Sequence, residues 1–266
     1  MLDGFRKYYI FARTAFRDHT SHRMKLSIRV VLCLFFMFVF VEFWRLIGRE
    51  EIVTLPYAII DICWYASLTQ MFLFMSPRMF MTIENDVRSG DIAYALIRPM
   101  PYIWMRLSEA IGAMTGNTVI YYTVGIAALY LYIGGLPTSG LSGLLSAMFF
   151  LYLASITHIF YQLMCGVTAL WLQDGESIYR IYQKTLIVLG GLYMPITLYP
   201  DWVQTLAYAT PVSSMMFAPA QFVLGASSPL SFMTVTLITT FWLGLSGLAT
   251  LLLFRICTRR LEINGG

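Results

Sequence analysis

Charge is the scarcest property of this sequence. Only 12% of its 266 residues are Asp, Glu, Lys or Arg, against about a quarter in a soluble domain. A chain that is also 58% hydrophobic cannot dress a water-facing surface. That excludes an ordinary soluble enzyme and identifies an integral membrane protein. Lysine is limited to Lys7, Lys25 and Lys184, and none follows a glycine. A G-x-x-x-x-G-K-[ST] phosphate loop therefore has no place here, and any ATP used is bound by another chain. Histidine is limited to His19, His22 and His158. There is no H-E-x-x-H zinc motif and no G-x-S-x-G nucleophile elbow. Cys33, Cys63, Cys165 and Cys257 lie far apart, without a C-x-x-C pair or a zinc spacing. They read as small apolar core residues. No metal or organic cofactor is implied for this chain. The net charge of +4 is small, and no nucleic-acid partner is expected.

Long apolar runs are what the sequence has instead. A helix crossing the hydrocarbon core needs about 20 mostly apolar residues. Six segments meet that requirement: 26–47, 55–77, 107–133, 142–172, 180–199 and 231–255. They must be helices, because lipid offers the backbone no partners and the alternating pattern of barrel strands is missing. The expected fold is an all-α polytopic membrane protein with six transmembrane helices in a single domain, 1–266. The first apolar run begins only near Leu26, behind a basic tail, and no small-residue cleavage site follows it. The first span is therefore expected in the mature protein. In that tail, Leu2, Phe5, Tyr9, Ala12 and Phe16 recur at helical steps, and Arg6, Arg13 and Arg17 fall elsewhere on the wheel. The pattern predicts a basic amphipathic helix on the inner membrane surface within residues 1–25.

Lys and Arg collect in the tail, after the second and fourth spans, and at the C-terminus. The positive-inside bias therefore predicts both termini on the cytoplasmic side. Between Thr185 and Phe254 the only charge is Asp201. That region is too long for one span, and three spans would put the Arg-rich terminus outside. The 200–230 segment is apolar yet interrupted by proline. Pro200, Pro211, Pro219 and Pro229, with Pro195 just ahead of them, break helix interiors and predict short helices dipping into the outer leaflet and returning. Such backbone is tolerated at depth only under cover of protein or beside a cavity.

Asp61, Glu109 and His158 are ionisable residues of the predicted second, third and fourth spans. Each reads first as structural. A proton path or an ion-coupled secondary transporter remains an alternative, because intramembrane ionisable groups mark function by default. A membrane-integral lipid-modifying enzyme would need polar groups clustered at one depth, and these three sit on different spans.

The most polar stretch, "IENDVRSGDIAYALIRPMP" from Ile83 to Pro101, separates spans two and three. Glu84 and Arg88 have favourable i, i+4 spacing. Gly90 suits a left-handed helix end, Asp91 a cap for a second short helix, and Arg98–Pro99 its close. A compact helical hairpin within 78–106 is expected.

The pattern E-x-D-x-R-S-G-x-[IL]-x-x-x-L-x-[RK]-P, carried by Glu84, Asp86, Arg88, Ser89, Gly90, Ile92, Leu96, Arg98 and Pro99, resembles a stretch of ABC type-2 permeases. It is more narrowly similar to the bacterial ABC-2 family once described as a domain of unknown function. "GGLYMPITLYPDWVQTLAYATPVSSMMFAPAQFVLG", residues 190–225, resembles that family's proline-rich outer segment, and "RRLEINGG" resembles its basic tail. The resemblance implies an interfacial helix, six spans and a re-entrant outer helical pair. It also implies two ABC ATPase subunits, which bind the ATP and magnesium, and a second permease, identical or related. The polar hairpin would be a coupling helix docked on the ATPase through Glu84, Asp86, Arg88, Ser89, Gly90, Arg98 and Pro99. The implied location is the bacterial cytoplasmic membrane, and the implied role is transport, in most cases export.

Overall fold

The computed structural model describes residues 2–21, 23–50, 55–98, 100–172, 175–227 and 229–259; the side chains of residues 2–5, 19, 23, 226 and 227 are not described. Every regular element among them is helical. In order they are α1 (Leu2–Ser21), α2 (Arg23–Arg49), α3 (Ile59–Met75), α4 (Met79–Ser89), α5 (Asp91–Ile97), α6 (Tyr102–Ile133), α7 (Gly140–Leu172), α8 (Gly175–Leu189), α9 (Asp201–Ala209), α10 (Pro211–Met215), α11 (Phe217–Ala220) and α12 (Phe232–Thr258). Five stretches are long and apolar enough to cross a membrane: Met24–Arg49, Ile59–Ser89, Tyr102–Ile133, Gly140–Leu172 and Phe232–Thr258. The protein is a multi-span helical membrane bundle.

Sequence punctuation accounts for the element ends. Ser76 precedes Pro77 and takes extended φ/ψ, as a residue before proline prefers; α3 stops there and α4 begins three residues later, at Met79. Gly134 closes α6 in the left-handed region at φ 86°, donating its N–H to the Tyr130 carbonyl. Ser231 caps α12 by accepting a bond from Thr234 N.

The predicted fifth span, 180–199, is not a continuous helix. α8 begins at Gly175 and ends at Leu189. Its 15 residues reach about 22 Å at 1.5 Å per residue, less than the ~30 Å hydrocarbon core. Gly190 and Gly191, the latter at φ 81°, stop the helix, and Pro195 and Pro200 prevent its resumption. The exposed carbonyls are satisfied from α3. Tyr65 donates its hydroxyl to the Gly191 carbonyl at 2.6 Å, and Thr69 reaches the Leu192 carbonyl at 3.3 Å. Irregular backbone within a membrane bundle is stable on these terms, buried and bonded.

Two apolar cores hold the bundle. One is built around α3, where Trp64, Tyr65, Met71 and Phe72 are fully buried and meet Phe217 and Met215 of the short helices. The other joins α4, α6, α7 and α12 through Met79, Ile83, Tyr102, Met114, Leu163 and Cys257. α1 packs along α6 so closely that a Cβ at Gly112 would run into the Ala12 carbonyl, and Gly116 faces Phe16 and Thr20. The segment is helical, but its packed face differs from the expected stripe: Tyr8, Phe11, Ala12 and Ala15 are partly covered, while Tyr9 is 65% exposed. On α12, Gly247 faces Phe160 of α7, and a Cβ at Gly244 would meet nothing within 4 Å.

Candidate functional site

The polar stretch folds into the expected helical hairpin. α4 ends where Gly90 takes φ 79° and donates its N–H to the Val87 carbonyl. A Cβ at Gly90 would meet no atom within 4 Å, so backbone conformation alone requires the glycine. Gly90 is also the N-cap of α5, which puts Asp91 in the first turn rather than at the cap. Ser89 Oγ donates to Asp91 Oδ2 at 2.8 Å and bridges the corner. Arg98 takes extended φ/ψ and closes α5; Pro99 lies outside the described residues.

The two faces of α4 differ. Glu84 is buried, and its Oε1 lies 2.5 Å from Nη2 of the exposed Arg88. Its other oxygen sits beside Gly175, the first residue of α8, where a carboxylate is favoured by the positive helix end. Asp86 also points inward. It accepts bonds from the Tyr102 hydroxyl and from Arg106, both at the start of α6. Arg106 donates in addition to Glu109 at 2.6 Å. These side chains keep little exposure: 13% for Asp86, 16% for Arg106 and 25% for Glu109. In such a half-buried setting charge-assisted bonds are strong and breaking one is costly.

A second set of bonds clamps the break between α3 and α4. The Phe74 carbonyl accepts from Arg29 of α2 at 2.8 Å, and the Met75 carbonyl from Asn117 of α6 at 2.9 Å. Gln162 of α7 accepts from Met79 N at 2.9 Å and donates to Ser76 Oγ at 3.0 Å. The orphan carbonyls of α3 and an orphan N–H of α4 are thus satisfied by three other helices. Gly166 of α7 lets Ile83 and Phe80 of α4 approach closely. Phe80 stacks on Tyr179 of α8, with ring centroids 3.7 Å apart.

The outer face of the hairpin is open. Arg88, Ser89, Gly90 and Arg98 are exposed, and so are Tyr94 at 73% and Ile97 at 81%. The predicted interface set therefore divides. Arg88, Ser89, Gly90 and Arg98 face outward, and Glu84 and Asp86 are turned into the bundle.

The intramembrane candidates are not brought together. Asp61 accepts from Thr138 N at 2.7 Å and Thr138 Oγ1 at 2.6 Å, tying α3 to the α6–α7 connection. Glu109 belongs to the Arg106 cluster. His158 Nδ1 shares a 2.6 Å bond with the Tyr182 hydroxyl. Among the described residues no three His, Cys, Asp or Glu converge as a metal site. Three of the expected prolines stand at element starts, whereas Pro219 lies within a short helix rather than at a break. Pro195 opens a 3-10 turn, Pro200 precedes α9, Pro211 is the first residue of α10, and Pro219 lies in α11. From Val212 to Leu224 nearly every side chain is buried, against α3, α7 and α12.

Sequence reading missed Tyr102, Arg106, Asn117 and Gln162 as site residues. Arg106 was readable only as one of the positive loop charges. Asn117 and Gln162 carried a signal that went unused: an amide inside an apolar span needs a bonding partner.

No curated protein matches the chain. The family model described as ABC-2 family transporter protein matches residues 30–265, nearly the whole sequence. The protein belongs to the ABC-2 transporter family.

Proposed function

We propose that this chain is the permease subunit of an ATP-driven transporter, working as an exporter, and that the α4–α5 hairpin receives an ATPase subunit. One observation carries the reading. The hairpin offers exposed Tyr94 and Ile97 with a basic rim on one side, while its other side is bonded to α6 and, across the α3–α4 break, to α2 and α7. Exposed apolar groups rimmed by polar ones mark contact sites. An element so built passes displacement inward. Closure of two ATPase subunits on ATP would move the hairpin. Asp86–Arg106 would carry α6 with it, and the clamp at Ser76–Met79 would carry α3 and α7.

The rest of the assignment follows this reading. ATP and magnesium belong to the partner ATPases, and this chain performs no catalysis. It sits in the bacterial cytoplasmic membrane beside a second permease, identical or related. α8 and the irregular segment after it together act as the fifth span, giving six crossings with both termini cytoplasmic. The helices from α9 to α11 form the re-entrant outer segment. An ion-coupled mechanism is less well supported, because Asp61, Glu109 and His158 each have a separate local partner.

The test is replacement of Tyr94 and Ile97 by glutamate. These exposed positions tolerate the change in the free chain. The variant should insert and purify with wild-type thermal stability, yet lose the ATPase and ATP-dependent transport. Full transport by that variant would contradict the docking role.

A further inference from the structure

Between α2, α3, α7 and α8, at the end of the bundle that carries α4, lies a cavity of about 650 Å³, within the usual ligand range of roughly 300–1,000 Å³. Arg29, Arg78, Gln183 and His158 supply its polar wall, and Leu32 and Phe74 part of its apolar wall. No Asp or Glu is among its described lining residues.

Several arginines elsewhere have carboxylate partners. Arg45 pairs with Glu42, Arg88 with Glu84, Arg106 with Asp86 and Glu109, and Arg180 with Glu176. No ion pair to Arg29 or Arg78 is found among the described residues. Arg29 places one donor on the Phe74 carbonyl and lies against the Tyr121 hydroxyl, and the rest of its five N–H groups remain for the cavity. Two guanidinium groups facing a space with apolar walls and no carboxylate create a positive potential that favours an anion. Guanidinium matches the geometry of phosphate oxygens. On the apolar side, Leu32 belongs to the open face of α2 and is 45% exposed, so an occupant held by its charge has a continuous apolar track beside it.

We propose that this cavity seats the anionic, phosphate-bearing head group of an amphiphile whose apolar part lies along Leu32 and Phe74. As a statement of substrate class the proposal rests on the transporter reading; as a binding site it does not. Arg29 and Arg78 hold the phosphate, Gln183 adds a neutral donor, and α2 guides the tail.

The test uses the full chain in mild detergent, together with its ATPase if one is attached. Retention of phosphatidylglycerol is compared with that of phosphatidylcholine carrying the same acyl chains, and glycerol 3-phosphate serves as a head without a tail. Arg29→Gln with Arg78→Gln should lower phosphatidylglycerol retention about tenfold or more, as expected for lost charge-assisted bonds. Lysine at both positions should recover most of it. Phosphatidylcholine should be retained weakly and equally by all forms. Glycerol 3-phosphate should compete poorly. Lys7→Gln, on the basic surface of α1, should change nothing. If the glutamine pair fails to purify, Arg78→Gln alone, at an exposed position, is read in the same way. Equal phosphatidylglycerol retention by wild type and glutamine variants, or equal retention of the two lipids, would overturn the site. Effective competition by glycerol 3-phosphate would show a soluble anion to be the ligand and overturn the amphiphile. Loss of the lipid site with ATP-driven transport intact leaves the transporter reading standing. A retained lipid site in a chain that carries no ATPase counts against ATP-driven transport and not against the site.

Discussion

Arg106 on α6 holds Asp86 on α4, across the junction between the polar hairpin and the third long helix. The same guanidinium holds Glu109 one turn along its own helix. Replacing Arg106 by methionine leaves two half-buried carboxylates facing each other. Breaking a buried pair from one side costs about 3–5 kcal/mol; the residual exposure here brings the expected loss to roughly 2–3 kcal/mol. Adding Asp86→Asn should recover part of it, because the double variant removes an uncompensated charge. Thermal denaturation in detergent measures both. Simple additivity of the two losses would show that the groups do not interact.

Gly90 predicts a graded series. Alanine must adopt φ 79° at a cost of about 1–2 kcal/mol, with no steric contribution, since nothing lies within 4 Å. Asparagine, which tolerates the left-handed region, should cost less than alanine. The corner sets the direction of α5, so ATPase retention should fall in the order Gly, Asn, Ala. Equal retention by all three would mean that the angle between α4 and α5 is unimportant.

Tyr65→Phe removes the donor to the Gly191 carbonyl and leaves a buried acceptor unmet. The expected destabilisation is about 1–3 kcal/mol, read as a lower melting temperature. Gly191→Ala should do worse, because it adds left-handed strain and places a Cβ against the Tyr65 hydroxyl. If both variants melt like wild type, the break after α8 is not held from α3.

Gly112→Leu should lift α1 from α6, because the Ala12 backbone occupies the space. Limited proteolysis would then cut within residues 2–21 of the variant faster than in wild type. Unchanged protection would contradict the close packing of the two helices.

The sequence was legible where one physical requirement dominates. Five long helices follow from the length of their apolar runs, and the corner at Gly90 from its turn chemistry. The fifth expected span shows the limit. Residues 180–199 are apolar enough to cross, but Gly190–Gly191 breaks the helix, and the break persists because Tyr65 and Thr69, over a hundred positions earlier, bond its carbonyls. The hairpin shows a second limit. Glu84, Asp86 and Arg88 read as one polar surface, because a helical repeat in a short segment does not reveal which side meets other helices. The structure turns Asp86 toward Tyr102 and Arg106 and leaves Arg88 outside. Asp61 and His158 were readable as needing partners; Thr138 and Tyr182 emerged only from tertiary contacts.

In the proposed mechanism a separate ATPase, seated on the α4–α5 hairpin, drives this chain. The most direct measurement is mild-detergent purification of the wild-type chain and the Tyr94→Glu, Ile97→Glu variant from the native membrane. Mass spectrometry would identify what each retains, and vesicles of each preparation would be assayed with and without ATP. An equimolar P-loop ATPase and ATP-dependent transport are expected for the wild type, with both lost in an otherwise intact variant. A wild-type chain that comes out alone and whose vesicles ignore ATP would contradict that mechanism.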